Sequence, residues 1–141
     1  MRRLVEAMLA TAVVIDVAYW SIWFTRREWL ASEHTQAYYD FENAFPLADA
    51  WLGLACVLAL VTLRRRRPTA LLWLVCAGAA ALYLGCMDLL YDLEHGIFAQ
   101  GSGGAIEAVI VLLTWIFSLT ILRWSWTRRD VLLGGEAARA R

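Results

Sequence analysis

Four apolar runs dominate this chain: Leu4 to Phe24, Pro46 to Leu63, Ala70 to about Asp92, and Ala105 to Trp124. A helix rises about 1.5 Å per residue, so about 20 such residues cross the hydrocarbon of a bilayer, within a range of about 17 to 25. Inside lipid every backbone N–H and C=O must find a partner within the protein, and separate runs of this length meet that demand as helices. With 61 % of its 141 residues apolar, the chain carries more greasy surface than one small soluble core can bury. It is expected to be an integral membrane protein. Arg2 and Arg3 ahead of the first run imitate a signal peptide, but Glu6 and Asp16 interrupt that run and no A-x-A pattern follows, so it is read as a retained span.

All thirteen basic residues are arginine, balanced by thirteen acids. Eleven arginines fall on one side of the spans: Arg2, Arg3, Arg64 to Arg67, Arg123, Arg128, Arg129, Arg139 and Arg141. Only Arg26 and Arg27 fall on the other, diluted by Glu28, Glu33, Asp40 and Glu42. The positive-inside bias therefore predicts that both termini are cytoplasmic. Trp20, Trp23, Trp29 and Trp51 are expected to mark the outer interface, and Trp73, Trp124 and Trp126 the inner one. No stretch resembles a basic nucleic-acid surface; the expected partner is the lipid bilayer.

Alternating spans with two short connections predict an all-α fold, a four-helix transmembrane bundle with up-down antiparallel topology. Residues 1–130 are read as a single domain and 131–141 as a short cytoplasmic tail that frays. Pro68 is expected to begin the third helix and Gly96 to cap it before a flexible outer turn, "HGIFAQGSGG". The 26–45 connection carries Trp29, Leu30, Tyr38, Tyr39 and Phe41, and is expected to lie on the outer surface, partly helical, over the bundle mouth. Ala81 and Gly85 form a small-x-x-x-small pair that lets a neighbouring helix approach.

A charged side chain in lipid is costly, so acids inside spans face a bundle interior or a wet cavity. Asp16 lies roughly 18 Å from the inner end of its span and about 12 Å from the outer, with Tyr19, Trp20 and Trp23 above it on the same helix. Asp49 and Glu107 fall in the first turns of the second and fourth spans, where the helix dipole favours carboxylates in any case. Their depth is nonetheless that of "GCMDLLYDLEHGIF", residues 85 to 98. There Asp88, Asp92 and His95 stand at i, i+4 and i+7, one stripe at about 100° per residue, with Tyr91 beside them. Two like charges at i, i+4 repel unless something positive or a shared proton lies between them. Arg26 or Arg27 folding back, a divalent metal on Asp88, Asp92 and His95, a cationic ligand, or protonation of one carboxyl each meets that need.

Gly85, Asp88 and Asp92 are superficially similar to the tail of the CDP-alcohol phosphotransferase signature, G-x-x-x-D-x-x-x-D. Gly85 precedes Asp88 by three positions instead of four, and the D-G-x-x-A-R half is absent, which sets that family aside. A mid-membrane acid in the first of four spans is similar to the small multidrug-resistance transporters, which exchange protons for aromatic cations at such a carboxylate. The arginine bias and the 20-residue loop over 26–45 depart from them. Carboxylates and tryptophans in a four-helix bundle also resemble the emopamil-binding-type fold, in architecture alone. "FPLADAW" (Phe45 to Trp51) and "LGCMDLLYDLEHGIF" (Leu84 to Phe98) resemble segments of uncharacterised bacterial four-span membrane proteins. That resemblance implies a multi-pass protein of the bacterial cytoplasmic membrane, highlights Asp49, Asp88 and Asp92, and carries no activity.

Cys56, Cys76 and Cys86 form no C-x-x-C and read as packed thiols. Ser21 and Ser118 have no histidine within reach for nucleophilic chemistry. The expectation is an outward-opening crevice that binds or passes a cation, a proton or a protonatable small ligand. Asp16 forms its floor, Asp49, Asp88, Asp92, His95 and Glu107 its wall, and Tyr19, Trp20, Trp51 and Tyr91 its aromatic lining. Two alternatives stay open: an enzyme acting on a lipid or isoprenoid through paired carboxyls, and a structural subunit whose acids meet a membrane partner or a second copy.

Overall fold

Each apolar run forms one helix: α1 Arg2–Arg26, α3 Pro46–Arg64, α4 Ala70–His95 and α5 Gly101–Thr127. Two short helices, α2 Gln36–Glu42 and α6 Arg129–Leu132, and two 3-10 turns, Arg27–Trp29 and Ile97–Ala99, complete the chain. The computed structural model describes residues 1–31 and 34–134, the side chain of Ser102 excepted. Expectations that touch Glu33, Arg139 and Arg141, and most of the 131–141 tail, lie outside those residues. Among the described residues the structure is all-helical, and four helices are long and apolar enough to cross a membrane.

Local chemistry sets the helix ends. Pro46 occupies the first turn of α3, where its missing N–H costs no helical bond. Thr35 caps α2 by accepting the Tyr38 amide at 3.2 Å. Gly96 closes α4 at φ +65° and donates its amide to Asp92 O, the left-handed cap that glycine adopts without a Cβ penalty.

Three boundaries differ from expectation. Pro68 does not begin α4; the Arg67 and Pro68 carbonyls first accept the Ala70 and Leu71 amides in a turn. Helix α5 begins at Gly101, not Ala105, so "GSGG" is helical and the supposed flexible turn is ordered by Ile97–Ala99. Gly104 makes this close approach feasible, because a Cβ there would collide with Ile97 O and the Phe98 backbone. The tail is likewise not free from residue 131, since Leu132 packs on the core.

Helix α3 packs on α1 and α4, and α4 on α5. One buried cluster joins Val5 and Leu9 of α1, Cys56 and Leu63 of α3, Leu74 and Ala77 of α4, and Ile121 of α5. The α4–α5 seam uses small residues: Ser118 Oγ donates to Gly78 O at 2.7 Å, and Gly85 lies against Trp115 and Thr114. Ala81 is buried on the same helix, so the small-residue pair does serve close packing. Outward, Val14, Ile15, Val17, Leu112, Leu113 and Leu119 are exposed, an apolar surface suited to lipid and unsuited to water. The Trp51 and Trp73 rings, expected at opposite interfaces, have centroids 6.3 Å apart. Interfaces are separated by about 30 Å of hydrocarbon, so these two rings cannot mark opposite ones.

Candidate functional site

The last turns of α1 present aromatic donors to the chain that follows. Tyr19 Oη donates to Glu42 Oε2 at 3.0 Å, Trp20 Nε1 to Asp49 Oδ2 at 3.0 Å, and Trp23 Nε1 to Asn43 Oδ1 at 3.2 Å. Tyr38 also lies near enough to act on the Glu42 carboxyl. Phenol and indole each combine an apolar body with one donor, which is what an acid in an apolar setting requires. Tyr19 and Trp20, expected as aromatic lining, each donate to one of these acids.

Asp88 of α4 is the centre of these acids. Glu42, Asp49, Asp92 and Glu107 all lie near enough to act on it electrostatically, so α2, α3, α4 and α5 each contribute a carboxyl. Glu107 acts in turn on Glu42 and Asp92. Asp92 is 5 % exposed, and its Oδ2 is buried without a hydrogen-bond partner among the described residues. No guanidinium offsets this charge: the ion pairs among the described residues join Glu6 to Arg2 and Arg64, and Asp130 to Arg129. Arg26 and Arg27, one of the four sources of compensation considered above, lie over the rings of Trp29 at 5.7 Å and Tyr39 at 4.4 Å, where cation–π attraction holds them.

Asp16 stands apart from the group but is linked to it through Asp49, on which it acts electrostatically. Its carboxyl occupies the space left by Gly53 of α3, since a Cβ on Gly53 would fall 2.5 Å from Asp16 Oδ2. The absence of a side chain at Gly53 is thus what seats an acid at the α1–α3 interface.

An aromatic cap covers the cluster. Tyr38 is 3 % exposed, Phe41 stacks on Tyr91 at 3.9 Å with 12° between planes, and Phe41 meets Phe45 edge-on at 4.8 Å. The 26–45 connection does cover this end, through α2. Two cavities have none of these carboxyls in their lining. One, of about 240 Å³, lies by Trp23, Arg27 and Asn43, and another, of about 350 Å³, is an apolar groove between Trp51, Ala80 and Tyr83.

Several expected site residues fall elsewhere. His95 leaves the carboxyl stripe: its ring stacks on Tyr91 at 4.0 Å and its Nδ1 is 2.9 Å from Tyr91 O. Trp51 lines the apolar groove beside Trp73 and not the acids. Glu107 lies beyond the first turn of α5, because that helix starts earlier than expected, and the helix dipole no longer accounts for it. Among the described residues no three His, Cys, Asp or Glu side chains gather as a metal requires, so Asp88, Asp92 and His95 do not form the divalent-metal triad considered above. Glu42 was counted only as a loop charge; "TQAYYDFE" carried the signal for it, a Thr N-cap followed by aromatics and an acid at helical spacing. Compared with protein-family models, curated proteins and solved structures, the chain matches none.

Proposed function

We propose that this chain is a multi-pass protein of a bacterial cytoplasmic membrane, an up-down antiparallel bundle with both termini in the cytoplasm. Its acidic end faces outward and binds or passes a cation, a proton or a protonatable small ligand. The arginine distribution supports the orientation. The observation that carries the function is Asp92 Oδ2, which among the described residues is buried without a hydrogen-bond partner, beside four further carboxyls that form no ion pair with a guanidinium. Like charges in a low-dielectric setting need a counter-charge or a shared proton, and fold stability alone does not select such a cluster. Asp16 acts electrostatically on Asp49, and Asp49 on Asp88, which is consistent with such a role.

Thermal unfolding of the detergent-solubilised protein tests this reading. Sodium, magnesium, zinc and a quaternary ammonium ion are each added at neutral pH, and acidification is tried alone. A species that binds the folded state raises the melting temperature by mass action. The expected result is stabilisation of the wild type by a cation or by acid, reduced in Asp88→Asn and in Asp92→Asn. A wild type indifferent to every cation and to acid, or an undiminished response in both variants, overturns it.

A further inference from the structure

At the opposite end, helix α3 runs into the arginine tract through a Schellman turn. The Arg67 amide donates to Thr62 O at 2.9 Å and the Arg66 amide to Leu63 O at 3.1 Å, the paired bonds that define the motif. Its first residue past the cap takes the left-handed conformation, where glycine is the default because a Cβ is penalised. This chain places Arg66 there, at φ +51°, although it spends a glycine on the equivalent cap of α4. A bulky side chain kept where the backbone disfavours it points to a task for that side chain.

Among the described residues most of the charge around the turn is uncompensated. Glu6 is engaged by Arg2 at 2.9 Å and Arg64 at 3.8 Å, and Asp130 by Arg129 at 4.0 Å. Arg3, Arg65, Arg66 and Arg67 are exposed and have no acidic partner among the described residues. Arg2 Nη2 also donates to Leu63 O at 2.9 Å, which sets the first turn of α1, with Arg3, beside the turn that ends α3. Next to these guanidinium groups in the chain the surface is apolar: Leu4 is 51 % and Leu72 57 % exposed. Forked donors that match phosphate oxygens, adjoining exposed leucines, reproduce the polarity of a phospholipid.

We propose that Arg65, Arg66 and Arg67, with Arg3 on the adjoining turn, bind the phosphate of an anionic phospholipid headgroup in the leaflet at this end. The site is independent of the carboxyl cluster and of any function assigned to it. Charge complementarity selects an anionic lipid over a zwitterionic one, because the excess of guanidinium is met only by a headgroup with net negative charge.

Native mass spectrometry of the full-length protein in detergent reads retained lipid after addition of phosphatidylglycerol or phosphatidylcholine. Phosphatidylglycerol is expected to be retained in preference, and R65Q/R66Q/R67Q to lower its retention roughly fivefold for each arginine removed. Arg26→Gln/Arg27→Gln, at the other end, leaves retention unchanged. Arg66→Gly is the deciding variant if the triple variant does not fold: relief of the backbone raises its melting temperature, while phosphatidylglycerol retention falls. Equal retention of the two lipids, or retention unchanged in Arg66→Gly, overturns the proposal. Displacement of phosphatidylglycerol by inorganic phosphate at equal concentration also overturns it, and assigns the turn to a free phosphate instead.

Discussion

At the arginine end Glu6 lies between Arg2 and Arg64, 2.9 and 3.8 Å away; at the other end Asp92 Oδ2 is buried with no donor among the described residues. Both acids belong to helices in an apolar setting, yet one is paired and the other is surrounded by its own kind. An ion pair at a helix end is what structure alone selects. Carboxyls gathered from four helices and held by tyrosine and tryptophan donors are not, because an unpaired buried charge costs far more than an apolar replacement. The contrast sets the acidic end apart and gives it a comparison region within the same molecule.

The cap is where this contrast is broken most severely. Phe41→Ala removes the ring stacked on Tyr91 and set against Phe45, at a cost of about 3 kcal/mol for a large-to-small aromatic change. The melting temperature in detergent is expected to fall, and carbodiimide labelling of Asp88 and Asp92 to rise as the cluster opens. Unchanged labelling would show that α2 does not shield the acids. Next in size is Gly53→Leu, which drives a side chain into the Asp16 carboxyl and costs about 2 kcal/mol by overpacking. In an Asp16→Ala background most of that loss disappears if the two sites are coupled as the geometry requires, and a double-mutant cycle reads the difference.

These residues also mark how far the sequence could be read. Helix number and the shared depth of Asp49, Asp88, Asp92 and Glu107 follow from run lengths and rise per residue, which do not depend on how the helices turn about their axes. Rotation and side-chain choice do depend on partners, and there the reading failed. Tyr91 draws His95 into a ring stack, and Trp51 turns to Trp73. Glu42 lies outside the four apolar runs of the sequence, so run lengths assign it no depth; it joins the acids because Tyr19 reaches it. The role of Gly53 depends on where the Asp16 carboxyl lies, which run lengths do not give.

The same chemical change is expected to have opposite signs at the two ends. Asp92→Asn replaces an unpartnered carboxylate oxygen by an amide donor near Asp88 and Glu107, and is expected to stabilise the protein by about 1 to 2 kcal/mol, read as a higher melting temperature. A lower one would mean that Asp92 already has a stabilising partner, and the distinction between the ends would fail.

Glu6→Gln is the counterpart and the smallest effect. The glutamate side chain is 18 % exposed, but Arg2 and Arg64 are 41 % and 62 % exposed, so solvent screens both pairs. Surface pairs of this kind contribute about 0.5 to 1 kcal/mol, and Arg2 keeps its bond to Leu63 O when Glu6 loses its charge. The variant should therefore melt slightly below wild type at low salt. The difference should shrink as ionic strength rises and the Debye length drops from about 10 Å toward about 3 Å. A loss that persists in high salt would mean that Glu6 acts through packing and not through its charge, and would remove the paired end as a control for the unpaired one.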